Sequence, residues 1–125
     1  MVVVPPAVRQ AIVDHAKAEQ PNESCGLLLL DGDVATEYVP AENKAASPYR
    51  FELYIDPVQW SEINDTDLRQ AIVHSHISSP PRPSRTDVEN IGTWQGQPYV
   101  IYCVARDELA AWTISGGAIE PLPLR

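Results

Sequence analysis

The spacing of apolar residues changes several times along the chain, and each change predicts an element. In residues 5–21, Val8, Ile12, Val13 and Ala16 recur at helical spacing between prolines at both ends, which predicts a helix. CGLLLL, from Cys25, is a short continuous apolar run stopped by Asp31-Gly32-Asp33. It predicts a buried strand and a tight turn, with VATEYVP as the returning strand. In YRFELYID, Tyr49, Phe51, Leu53 and Ile55 alternate with more polar neighbours, the pattern of a half-buried strand. Asp56 followed by Pro57 supplies an N-cap and a first-turn proline, and predicts a helix running to about Leu68.

AIVHSH, ending at His76, predicts another strand, and ISSPPRP after it a loop. SRTDVENIGTW reads as a helix capped by Ser84. YVIYCVA is a central apolar strand, ELAAWTIS a further strand after a turn, and AIEPLPLR a short last strand or tail. Strands alternate with helices, yet the hairpins require antiparallel pairs as well. The expectation is an α/β fold, a mixed sheet with helices packed on its faces, forming one domain over residues 1–125.

Composition narrows the function classes. A formal net charge of −8 argues against a nucleic-acid backbone as partner, since that needs clustered Lys and Arg, and against an anionic membrane surface. No apolar run is long enough to span a bilayer, and MVVVPPAVRQ lacks the basic start of a signal peptide. The two cysteines, Cys25 and Cys103, sit in apolar runs and read as buried free thiols of a reducing compartment, which suggests the cytoplasm. Trp60, Trp94 and Trp112 read as core by default, and they imply no oligomeric state.

The candidate chemistry lies in HSHISSPPRPSRTD, residues 74–87. Strand side chains alternate between faces, so His74 and His76 project the same way with Ser75 facing away. Two imidazoles so placed can converge on one ion. Asp87, in the first turn of the following helix, can fold back as a third ligand, kept ionised by the helix dipole. Two histidines and a carboxylate, with a fourth position left for water, are the donor set of a catalytic zinc site. Ser84 is a helix cap by pattern, yet its hydroxyl stands near enough to donate to an oxyanion. Glu23 precedes an apolar strand; by pattern alone it is a solvated turn residue. His15 reads as exposed and uninvolved, and Cys25 as buried rather than ligating.

The string H-x-H-x7-S-x2-D, filled by His74, His76, Ser84 and Asp87, with Glu23, Cys25 and Gly26 upstream as E-x-C-G, resembles the JAMM (MPN-plus) metalloprotease family. The stretches ESCGLLL, AENKAASPYRFELYID and PSRTDVE are similar to its short bacterial branch, and the likeness covers nearly the whole chain. The resemblance implies one zinc ion per chain, held by His74, His76 and Asp87. It implies Glu23 as general base and then general acid, and Ser84 as oxyanion donor. It implies a curved mixed sheet flanked by helices, related in shape to cytidine deaminases, and hydrolysis of a peptide or isopeptide bond. The substrate class it implies is the C-terminal tail of a small ubiquitin-like sulfur-carrier protein. The chain lacks the long insertions that eukaryotic relatives use to hold ubiquitin.

Two other readings compete. A non-catalytic MPN-type interaction module would have lost metal ligands, and here every ligand position is filled. A nucleotide deaminase needs H-x-E or C-x-E with P-C-x-x-C, and neither string occurs. Arg82 and Arg85 give the loop beside the histidines local positive charge that could meet an acidic carrier or a carboxylate.

Overall fold

The computed structural model describes all of residues 1–125. Helix α1 (Pro6–Glu19) leads into strands β1 (Cys25–Asp31) and β2 (Val34–Asn43). Strand β3 (Leu53–Tyr54), helix α2 (Pro57–Asn64) and strand β4 (Arg69–His76) follow. Helix α3 (Arg85–Glu89) precedes β5 (Tyr99–Cys103), β6 (Glu108–Ser115) and β7 (Ala118–Leu122). The seven strands form one mixed curved sheet in the order β3-β2-β1-β4-β5-β6-β7. Only β4 and β5 are parallel, so their connection carries α3 across one face of the sheet.

Alternation along the central strands divides the core in two. On one face Leu28, Leu30, Ala71, Val73, Val100 and Tyr102 pack against Ile12, Val13 and Ala16 of α1. On the other, Leu27 and Leu29 meet Ile55 and Ile63, while Ile72, Tyr99, Ile101 and Ile114 meet Ile91. Residues 2–4 close the curve: Val3 bridges Val34 at the start of β2, and Val2 bridges Leu124 beyond β7. No helix is long and apolar enough to cross a membrane.

Gly26 is dictated by a close approach. A Cβ there would sit 2.5 Å from the Val39 carbonyl oxygen and 2.6 Å from Tyr38 Oη. Tyr38 occupies that space and meets Nδ1 of His15 at 2.6 Å. The expectation of an exposed, uninvolved His15 is therefore half corrected: it is partly buried in the α1–β2 contact, with Glu19 3.6 Å from its other nitrogen.

Three boundaries differ from the pattern-based expectation. The predicted strand YRFELYID pairs only at Leu53 and Tyr54, and Tyr49 is 82% exposed. The cause is Asn43, whose side chain takes the Arg50 carbonyl and the Glu52 N–H that a strand partner would have used. Helix α2 stops at Asn64, where Thr66 Oγ1 bonds back to the Ile63 carbonyl. Helix α3 ends at Glu89, where the Asn90 side chain donates back to the Thr86 carbonyl, and a short 3-10 turn follows at Gly92–Trp94, entered through Gly92 at φ +52°.

Candidate metal centre and its cleft

Strand β4 ends in the middle of the sheet, between β1 and β5, and carries His74 and His76 there on the face opposite α1. Cys25 pairs with His74 across the antiparallel ladder, which brings Glu23, two residues upstream, to the same end of the sheet. The Ser24 N–H donates to Ser75 Oγ at 2.8 Å and the Ser75 N–H to the Ser24 carbonyl at 3.0 Å, fixing this approach from behind.

Asp87 arrives from α3. Ser84 caps that helix in a complete capping box: Ser84 Oγ accepts from the Asp87 N–H at 3.1 Å, and Asp87 Oδ2 accepts from the Ser84 N–H at 2.8 Å. The box turns the carboxylate toward the histidines. Oδ1 lies 3.2 Å from His74 Nε2 and Oδ2 lies 3.2 Å from His76 Nε2. One donor atom from each of the three residues lies within 4.8 Å of the others, and all three residues are buried. In a tetrahedron with zinc bonds near 2.0–2.1 Å, neighbouring ligand atoms stand about 3.3 Å apart.

The fit to a cation rests on unsatisfied groups. His74 is 1% exposed, yet neither ring nitrogen has a hydrogen-bond partner, since the contact with Asp87 Oδ1 is short but poorly aligned. A buried nitrogen without a partner is costly, and an ion at the convergence point would take Nε2. His76 is oriented for ligation as well. Its Nδ1 meets the Pro80 carbonyl at 2.8 Å, so this nitrogen carries the proton and Nε2 is left to ligate. Phe51 stacks on the His74 ring at 4.6 Å between centroids, and Tyr99 meets its edge at 5.1 Å.

Electrostatics suits His74 and Asp87 as donors. Burial pushes the His74 pKa below its ordinary value, which favours the neutral ligand form. Burial also opposes ionisation of Asp87, but His74, His76 and the Ser84 N–H together hold its carboxyl well below the usual range. Burial works against a charged His76 too; the Asp87 and Pro80 contacts outweigh it and raise its pKa. Glu23 is 4% exposed and its Oε1 has no partner. Burial pushes its carboxyl up to about 8, with His76 pulling it down and Asp87 adding to the rise. A carboxyl so poised can exchange a proton near neutral pH.

Two clefts border the centre. One, of about 500 Å³, brings Glu23, His76 and Ser84 together with Tyr49, Ser78 and Ser79. The other, of about 400 Å³, is aromatic, with Phe51, Trp60, Trp94 and Tyr99 beside Asp87. Every residue singled out from the sequence string therefore lies at one place. Cys25 is buried, and burial, with Glu19 and Glu23 adding, pushes its thiol up to about 12, so it stays a thiol. Arg82 lies over the Trp112 ring at 5.3 Å, and Arg85 pairs with Glu89 at 2.8 Å. Sequence reasoning missed Phe51 as the cover of His74, the Pro80 carbonyl and Asn43. Phe51 carried an apolar signal assigned to a strand; the other two carried none.

The chain matches the family described as prokaryotic homologs of the JAB domain over residues 5–115. A CysO-cysteine peptidase of Mycobacterium tuberculosis is 32% identical over 122 residues, covering 91% of this chain and 83% of that protein. A desampylase of Haloferax volcanii is 35% identical over 104 residues, covering 74% and 73%. A crystal structure of a JAB1/MPN domain protein from Archaeoglobus fulgidus superposes with a TM-score of 0.66 at 23% identity, covering 100% of this chain and 97% of that one. With the sheet, the capped aspartate and the paired histidines in place, these matches establish that the chain belongs to the prokaryotic JAB family, within the JAB/MPN fold.

Proposed function

We propose that the protein is a zinc-dependent metallopeptidase that cleaves a peptide or isopeptide bond at the C-terminal tail of a small ubiquitin-like or sulfur-carrier protein. The observation that carries this reading is the convergence of His74, His76 and Asp87 beside Glu23, whose buried carboxylate oxygen has no partner. The substrate class is supported by the relatives named CysO-cysteine peptidase and desampylase. The buried free cysteines fit a reducing compartment, the cytoplasm.

His74, His76 and Asp87 would hold one zinc ion, which supplies Lewis acidity at the scissile carbonyl and acidifies water. Glu23 takes a proton from the attacking water as its oxygen bonds to the carbonyl carbon. The same carboxyl then gives that proton to the leaving nitrogen as the C–N bond breaks, so that a carboxylic acid, which keeps the second water proton, and an amine are released. Ser84 accepts from the Asp87 N–H, which leaves its own hydroxyl proton to donate to the oxyanion. Phe51 and Tyr99 keep water from the His74 ring.

The test is elemental analysis combined with cleavage of carrier-protein tails. Glu23→Gln should keep about one zinc per chain and lose roughly 10²–10⁴-fold in kcat/KM. Undiminished turnover in that variant would remove Glu23 as the base. A chain unable to take up zinc would point to a non-catalytic interaction module.

A further inference from the structure

The loop of residues 44–52 roofs the metal centre. Pro48 and Tyr49 line the cleft that holds Glu23, Arg50 to Leu53 line the aromatic cleft, and Phe51 covers His74. One side chain holds both ends of this roof. Asn43 Oδ1 accepts from the Ala45 N–H and the Glu52 N–H, both at 3.0 Å. Its Nδ2 donates to the Arg50 carbonyl at 3.1 Å and to the carbonyl of Glu23 itself at 3.0 Å. Two donors and two acceptors are all that an Asn amide has, and each is used. The Glu23 N–H in turn donates to the Ser47 carbonyl of the roof at 2.9 Å. Both backbone polar groups of Glu23 are thus committed to the roof and its hinge, not to the sheet.

We propose that Asn43 is a positioning residue: it joins the roof loop to the backbone of Glu23, so the base and the cover of His74 move as one unit. The inference rests on Glu23 acting as the base. Its physical content is orientation. A carboxyl must meet both the attacking water and the leaving nitrogen, and a displacement of about 1 Å can cost two orders of magnitude in rate. The sheet begins only at Cys25, so without Asn43 the Glu23 backbone itself keeps only its N–H bond to Ser47, between Asn22 tied to Glu19 and Ser24 tied to Ser75.

Two variants of the full chain separate the halves of the clasp. Asn43→Ala removes all four bonds. Asn43→Asp keeps both acceptors and turns the donors to the Glu23 and Arg50 carbonyls into repelling oxygens. Amide hydrogen exchange by NMR should show the Glu23 N–H opening about tenfold faster or more in both variants. Ala45 and Glu52 should open in Asn43→Ala and stay protected in Asn43→Asp, with Val73 and Tyr102 unchanged in both. Zinc content should stay at about one per chain, and kcat should fall about tenfold or more while KM holds within about threefold. An unchanged Glu23 exchange rate in both variants, or an unchanged kcat, overturns the proposal. The exchange measurement needs no turnover. If the unaltered chain cleaves no carrier tail, the peptidase reading fails, while the exchange rates still decide whether Asn43 holds Glu23.

Discussion

Ser84 caps α3 with its oxygen lone pair, and the oxyanion role proposed for it uses a different atom, the hydroxyl proton. Substitution can separate them, because glycine is a tolerable N-cap and alanine is not. Ser84→Ala should lower stability by about 1 kcal/mol in urea denaturation, whereas Ser84→Gly should cost a few tenths. Both should lose roughly 10²-fold in kcat. Equal kcat in Ser84→Gly and the unaltered chain would leave the residue as a cap only. The same scale explains why His15 escaped the pattern. Nothing near it in sequence announces Tyr38, which reaches it from β2 across the gap above Gly26.

Among elements, the proline-rich segment between β4 and α3 does more than connect. Its Pro80 carbonyl sets the tautomer of His76, and its Pro81 carbonyl accepts from Trp112 Nε1 at 2.8 Å, which pins the segment to β6. Trp112→Phe keeps an aromatic ring and removes that pin. It should weaken zinc affinity by about 10-fold through a looser His76, read by chelator competition. Unchanged affinity would show that the prolines alone hold the loop. The strands β1, β4 and β5 were legible because a run buried on both faces has no polar alternation to mislead. Residues 49–52 were not, because a side-chain amide replaces the backbone partner there and leaves the alternation intact in sequence while no ladder forms.

Across the whole molecule, the large α1-side core lies on the face of the sheet away from His74, His76 and Asp87, so folding is expected to proceed without an ion. Zinc should therefore act as a ligand of a folded protein. At a free concentration about 100 times its Kd it should add about 2.7 kcal/mol, raising Tm in a scan. A chelator should reverse the rise without abolishing a cooperative transition, and Asp87→Ala should show no rise. Loss of all cooperative unfolding on chelation would make the site structural instead.

Local order is where sequence spoke most plainly. His74, His76, Ser84 and Asp87 were readable as one group because strand alternation and a helix cap are short-range rules that act over a few bonds. The same rules marked the helix starts at Pro6 and Pro57 and the buried strands. Glu23 joined that group only through resemblance, since its distance from His74 along the chain is bridged by the β1–β4 ladder. The partnerless nitrogens of His74, the roof over it and the clasp of Asn43 arise from contacts between segments far apart in sequence. Such contacts depend on which surfaces the folded sheet brings within a few ångströms, and no residue spacing encodes that.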